Sequence, residues 1–192
     1  MVKLREFKTI LLAGFGGQGV LSMGQFLASA GMVEENEVSW IPSYGPEMRG
    51  GTANCLVTIS QEEIDSPVFE FPDAAIIMNR PSLERFEKQV RAGGVLIVNA
   101  SLVDLAPQRK DVQAFLVPAN ELSSQLGNSK VANMVMLGAL IEVTKVVKID
   151  SVIECLKSVL PDAKHHLLPL NRNALEVGAE YVRYQANEQV AV

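Results

Sequence analysis

Ile10-Leu11-Leu12-Ala13-Gly14-Phe15-Gly16-Gly17-Gln18-Gly19-Val20 decides the fold of this chain. An apolar run over 8–13 reads as a short buried strand, and it opens directly into glycines. Beyond Gly19 the apolar residues Val20, Met23, Phe26, Leu27 and Ala30 recur at helical spacing. Gly31 then supplies a helix stop. Strand, glycine turn and helix in that order begin an α/β sheet. Gly14, Gly16 and Gly19 fit G-x-G-x-x-G, in which glycine lets the backbone approach a phosphate and the helix N-terminus offers free N–H groups.

A second glycine-rich segment follows the run Val38-Ser39-Trp40-Ile41-Pro42. It reads Ser43-Tyr44-Gly45-Pro46-Glu47-Met48-Arg49-Gly50-Gly51-Thr52. If both runs are parallel strands, both loops lie at the same end of one sheet, where open α/β sheets bind ligands. The glycines of the two loops are then expected at one sheet edge, within a phosphate group's reach. Gly50-Gly51 can expose consecutive N–H groups, and Arg49 offers a planar charged fork. The alternative is a plain hairpin whose Arg49 is solvated or paired with Glu47.

Further strands are expected over 53–60, 73–79, 95–98 and 113–117, with Ile64 and Val68 in a short return strand. Pro81 suits the first turn of a helix that buries Leu83, Phe86 and Val90 and ends at Gly93-Gly94. From Asn120 onward the pattern is helical: 131–143, a segment opened by a capping box Ser151-x-x-Glu154, and 168–185. The expected fold is therefore α/β: a doubly wound, mostly parallel sheet with glycine-rich ligand loops and a helical C-terminal portion. At 192 residues the default is one domain over 1–192.

Composition narrows the functions. A net charge of −5 argues against nucleic acid as the main ligand. No apolar stretch approaches ~20 residues, and residues 1–6 lack the apolar core of a signal peptide, so a cytoplasmic protein with no membrane partner is expected. Cys55 and Cys155 stand alone and far apart, which excludes a disulfide framework and a self-contained iron–sulfur cluster. There is no G-x-S-x-G, no H-E-x-x-H and no Gly-Asp dipeptide. His165 and His166 are neighbours on the chain and do not form a chelating pair. Met134 and Met136 read as core. Asn133, polar within an apolar helix, is either a structural link to a loop or a ligand contact.

The first loop leaves three readings open. A dinucleotide site needs an acid ~20 residues on, at the tip of the second strand. That tip reads Ile41-Pro42-Ser43-Tyr44, while Glu34, Glu35 and Glu37 precede the strand. A structural glycine turn and a different phosphate-bearing ligand remain. No catalytic residue and no metal ligand is expected.

Gly14-Phe15-Gly16-Gly17-Gln18-Gly19-Val20, followed by Pro42-Ser43-Tyr44-Gly45-Pro46-Glu47-Met48-Arg49-Gly50-Gly51-Thr52-Ala53-Asn54, resembles the gamma subunit of 2-oxoacid:ferredoxin oxidoreductases. The likeness extends through Asn133-Met134-Val135-Met136-Leu137-Gly138-Ala139 and Asn171-Arg172-Asn173-Ala174-Leu175. The second motif is more like the 2-oxoglutarate and branched-chain (2-oxoisovalerate) enzymes than the pyruvate ones. The resemblance implies that 1–192 is one gamma-type domain, inactive alone, in a complex that decarboxylates a 2-oxoacid to an acyl-coenzyme A. It implies alpha, beta and ferredoxin-like delta partners, with thiamine diphosphate, magnesium and iron–sulfur clusters held by those subunits and ferredoxin as acceptor. It assigns Gly14, Phe15, Gly16, Gly17 and Gln18 to a shared coenzyme A site, with Arg49 and Asn133 at matching positions; Gly19, Gly50 and Gly51 join the expected site on the chemistry of their loops. It also makes self-association of the isolated chain an expectation.

Overall fold

The computed structural model of the chain describes residues 9–44 and 51–190. The strands are β1 (Thr9–Phe15), β2 (Glu37–Tyr44), β3 (Thr52–Ser60), β4 (Ala74–Ile77), β5 (Val95–Asn99) and β6 (Gln113–Val117). The helices are α1 (Val20–Val33), α2 (Arg80–Phe86), α3 (Ala119–Gln125), α4 (Ala132–Thr144), α5 (Ile149–Val159) and α6 (Leu168–Val190). One six-stranded sheet runs in the order β2-β3-β1-β4-β5-β6. β1, β4, β5 and β6 are parallel, whereas β3 is antiparallel to both β1 and β2.

Strand periodicity divides the core in two. Ile10, Leu12, Cys55, Val57, Ile76 and Ile97 face α1 and α4. Leu11, Ala13, Ala75, Ile77, Leu96 and Val98 face Leu83 and Phe86 of α2. Both faces are covered, so β4 and β5 read as unbroken apolar runs. Helix α4 is buried on all sides, including Met134 and Met136, because α6 packs on the side away from the sheet. Helix α5 packs on α1 and α6.

Three expectations change. Ile64 and Val68 form no return strand: Pro67 removes a ladder donor, the Ser66 hydroxyl donates to the Val68 carbonyl, and Val68 is exposed. Gly31 does not stop α1, which continues to Val33; the chain turns instead at Glu35, whose φ is 60°. Ser151 does not cap α5. That helix starts two residues earlier, and Glu34 accepts both the Lys148 N–H and the Ser151 hydroxyl at 2.6 Å.

Candidate functional site

β1 and β2 point the same way although β3 lies between them, so their C-terminal ends share one end of the sheet. The chain leaving β1 passes over one face through α1 toward β2. The chain leaving β4 passes over the other face through α2 toward β5. The reversal opens a crevice at the ends of β1 and β4, where ligands bind in such sheets.

Gln18 bridges that crevice. Its Oε1 accepts the Phe15 N–H at 2.6 Å and the Asn79 Nδ2–H at 3.4 Å, and its Nε2 donates to the Met78 carbonyl at 3.2 Å. Asn79 in turn caps α2, its Oδ1 accepting the Ser82 N–H at 2.9 Å. The Gln18 side chain is thus occupied in joining β1 to β4, while the residue lines the cavity beside it.

The glycines of the first loop divide by task. A Cβ on Gly14 would meet Gln18 Oε1 and Met78 Cβ at 2.7 Å, so Gly14 serves packing. Gly19 caps α1 in the left-handed region at φ 75°, and a Cβ there would lie 2.6 Å from Asn133 Nδ2. Gly17 has φ 93° and nothing within 4 Å of its missing side chain. It faces open space at the start of α1, where no side chain caps the first turn. Those N–H groups carry the positive end of the helix dipole.

A cavity of about 220 Å³ adjoins this turn. Gly17, Gln18 and Gly19 form one part of its lining; Asn120, Lys130 and Asn133 form another, with Met78, Leu102, Ser129 and Ala132 completing it. Among the described residues no carboxylate lines it, although the chain carries a net −5. The Lys130 ammonium and the Asn133 amide make no hydrogen bond or ion pair with any described residue. A second hollow of about 300 Å³, with apolar walls from Phe26, Met134, Leu156 and Leu160, shares Lys130 and Asn133 with the first.

Of the residues read from the sequence, Gly17, Gln18, Gly19 and Asn133 come together around this cavity. Gly14 and Phe15 end β1 behind it. Gly16 donates its N–H to the Gly51 carbonyl at 3.1 Å, which joins the two glycine segments at one end of the sheet. Arg49 and Gly50, with Glu47, lie outside the described residues. The sequence reading missed Asn120, Ser129 and Lys130. Their signal was position: Asn120 follows the last strand, and Ser129 and Lys130 precede the apolar helix that carries Asn133.

The histidines stand elsewhere. His165 Nε2 lies 3.0 Å from the Lys157 and Leu160 carbonyls, closing the end of α5. Burial pushes the Cys55 thiol up to about 12, partly offset by the Trp40 indole, so it stays protonated and packs against α1.

The family model for pyruvate ferredoxin/flavodoxin oxidoreductase matches residues 9–181. The chain belongs to that family. It is 38% identical over 184 residues to the ketoisovalerate oxidoreductase subunit VorA of Methanothermobacter marburgensis, covering 94% of this chain and 37% of that protein. The chain therefore spans a little over a third of that relative. It is 36% identical over 183 residues to the 2-oxoglutarate synthase subunit KorC of the same organism, covering 91% of this chain and 96% of that one. The 2-oxoglutarate:ferredoxin oxidoreductase of Magnetococcus marinus, solved with 2-oxoglutarate, coenzyme A and succinyl-CoA, has the same fold. Its TM-score is 0.84 at 24% identity, over 94% of this chain and 32% of that chain. The Gly14–Gly19 turn belongs, within this family, to a domain that recurs both as a separate subunit and as part of a longer chain.

Proposed function

We propose that this chain is a gamma-type subunit of a 2-oxoacid:ferredoxin oxidoreductase and supplies part of its coenzyme A site. The supporting observation is the acid-free cavity beside the Gly17–Gly19 turn, lined by Lys130, Asn120 and Asn133 at the start of α1. Phosphate groups carry only acceptors when ionised, and a helix N-terminus with a lysine suits them. The likeness to VorA and KorC supports a branched-chain 2-oxoacid or 2-oxoglutarate, with 2-oxoglutarate as first choice.

This chain's residues bind and orient. Gly17 lets the backbone approach the phosphate, Lys130 offsets its charge, and Gln18 keeps the β1 and β4 ends at fixed spacing. Arg49, Gly50 and Gly51 of the second segment add donors on the sequence argument. Among the described residues no three His, Cys, Asp or Glu side chains converge as metal ligands. Thiamine diphosphate with magnesium, which supplies decarboxylation, and the iron–sulfur clusters, which carry electrons to ferredoxin, are assigned to alpha, beta and delta partners. No helix among the described residues is long and apolar enough to cross a membrane, and a cytoplasmic location is part of the proposal.

The test is reconstitution with the partner subunits. The complex should oxidise 2-oxoglutarate or 2-oxoisovalerate in a coenzyme A-dependent reaction that reduces ferredoxin. Lys130→Ala removes a charge-assisted hydrogen bond worth about 1.5–3 kcal/mol, so KM for coenzyme A should rise about 10–100-fold. The 2-oxoacid KM and assembly should change little. A complex that assembles but turns over no 2-oxoacid, or an unchanged coenzyme A KM in the variant, would overturn the reading.

A further inference from the structure

Behind the cavity lies a chain of polar groups that the proposed function does not itself require. Asn99, the last residue of β5, is fully buried. Its Oδ1 accepts the Ser101 backbone N–H at 3.2 Å. A backbone N–H can only donate, so this bond fixes which end of the Asn99 amide is oxygen. The other end, Nδ2, faces α3 and donates to Asn120 Oδ1 at 2.9 Å. The same logic then passes to Asn120. Its carbonyl is taken inward by Asn99, and its N–H₂ is left over. No described residue accepts the Asn120 Nδ2 hydrogens.

The backbone of Asn120 is held as firmly. Its N–H donates to the Ser101 hydroxyl oxygen at 3.0 Å. Ser101 spends its own proton on the Glu121 carboxylate, so its oxygen is an acceptor toward Asn120. Asn99 and Ser101 together set both the position of Asn120 and the direction of its amide.

We propose that Asn120 is a ligand-contacting residue of this cavity, and that Asn99 is a positioning residue that locks the Asn120 amide with its N–H₂ turned to the ligand. This rests on the coenzyme A reading for the ligand's identity. The consequence is specificity: the wall at Asn120 donates only, so the ligand atom against it must be an acceptor such as an ionised phosphoryl oxygen. A ligand hydroxyl or amine that had to donate there would find no acceptor.

Steady-state kinetics of the reconstituted complex tests it. Asn120→Asp keeps the size and the acceptor for Asn99 Nδ2 but replaces the N–H₂ with an anionic oxygen. KM for coenzyme A should rise at least about tenfold, with kcat and the 2-oxoacid KM within about twofold. Asn120→Ala removes the donor without adding charge and should fall between wild type and Asn120→Asp. Asn99→Asp still accepts from Ser101 but now presents oxygen to Asn120, which must turn its carbonyl to the cavity. The coenzyme A KM should rise again, although Asn99 does not line the cavity. Where Asn99→Asp lowers the thermal midpoint too far to assemble, the two Asn120 variants decide. If Lys130→Ala raises the coenzyme A KM and Asn120→Asp does not, Asn120 is no contact and the inference falls while the coenzyme A reading stands. If neither variant moves it in an intact complex, both fall. A parallel decline of every constant in Asn120→Asp would mark a structural residue and also overturn the proposal.

Discussion

At the residue scale the first loop shows that glycines in one motif answer to different constraints. Gly19 is held by backbone and by space together, since φ 75° disfavours any side chain and Asn133 occupies the place of a Cβ. Gly17 is held by φ alone, with open space around it. Gly17→Ala should therefore cost about 1–2 kcal/mol of folding stability from left-handed strain. Gly19→Ala should cost more, about 2–4 kcal/mol, because α1 must also move away from α4. Urea denaturation of the isolated chain measures both, and equal losses would show that Asn133 gives way freely. The motif thus marked the turn that borders the cavity and left the division of labour to the packing. Asn133 occupies the space beside Gly19 and lines the cavity, and its amide makes no hydrogen bond with a described residue. Lys130 and Asn120 were not legible, because each is an ordinary polar residue until the sheet brings segments about a hundred positions apart beside the glycine turn.

At the scale of elements, the parallel strands were legible because each is a short apolar run followed by a helix signal. The insertion of β3 between β1 and β2 was not, since pairing order leaves no mark on local periodicity. Its direction did leave one. β2 ends at Tyr44 and β3 begins at Thr52, and so short a link cannot carry a parallel crossover, which needs a dozen residues or more. Glu34 explains why the capping-box reading of Ser151 failed: the cap of α5 comes from the end of α1, more than a hundred residues earlier. Glu34→Ala frees the Lys148 N–H and the Ser151 hydroxyl. It should lower stability by about 0.5–2 kcal/mol, the usual worth of a helix cap, and raise amide exchange in the first turn of α5. Unchanged exchange there would mean that water replaces the carboxylate at no cost. The α4–α6 contact is closer still. A Cβ on Gly138 would run into the Leu175 backbone, and one on Gly178 into that of Val135, so these two glycines set the helix separation from both sides.

Over the whole molecule, α6 holds the helical layer to the sheet. Ala174, Leu175 and Val182 join the core, Gln185 Nε2 donates to the Leu116 carbonyl of β6 at 3.0 Å, and Arg183 grips Glu142 of α4 through two bonds of 3.1 and 3.0 Å. The Arg183 guanidinium holds the Glu142 carboxyl below the ordinary carboxylate range; burial opposes this, and Lys145 helps. A carboxyl depressed in the folded state stabilises the fold above its unfolded value, about 4.3, and that contribution is lost as pH falls through the folded value. Because the guanidinium is more than half exposed, at 57%, solvent screens the pair and its worth at neutral pH is small. Arg183→Ala should then lower the thermal midpoint by at most about 2–4 °C at pH 7. The gap between variant and wild type should narrow as pH falls through the carboxylate range, because protonating Glu142 removes the charge that Arg183 pairs with. Other depressed carboxyls, such as Asp111 beside Arg109 and Glu121 beside Ser101, are common to the two proteins and cancel in the difference. Paired thermal melts from pH 7 to pH 3 provide the check. A gap that stays constant across that range would assign the stabilisation to the packed stem of Arg183 and remove charge from the account of how α6 is clamped.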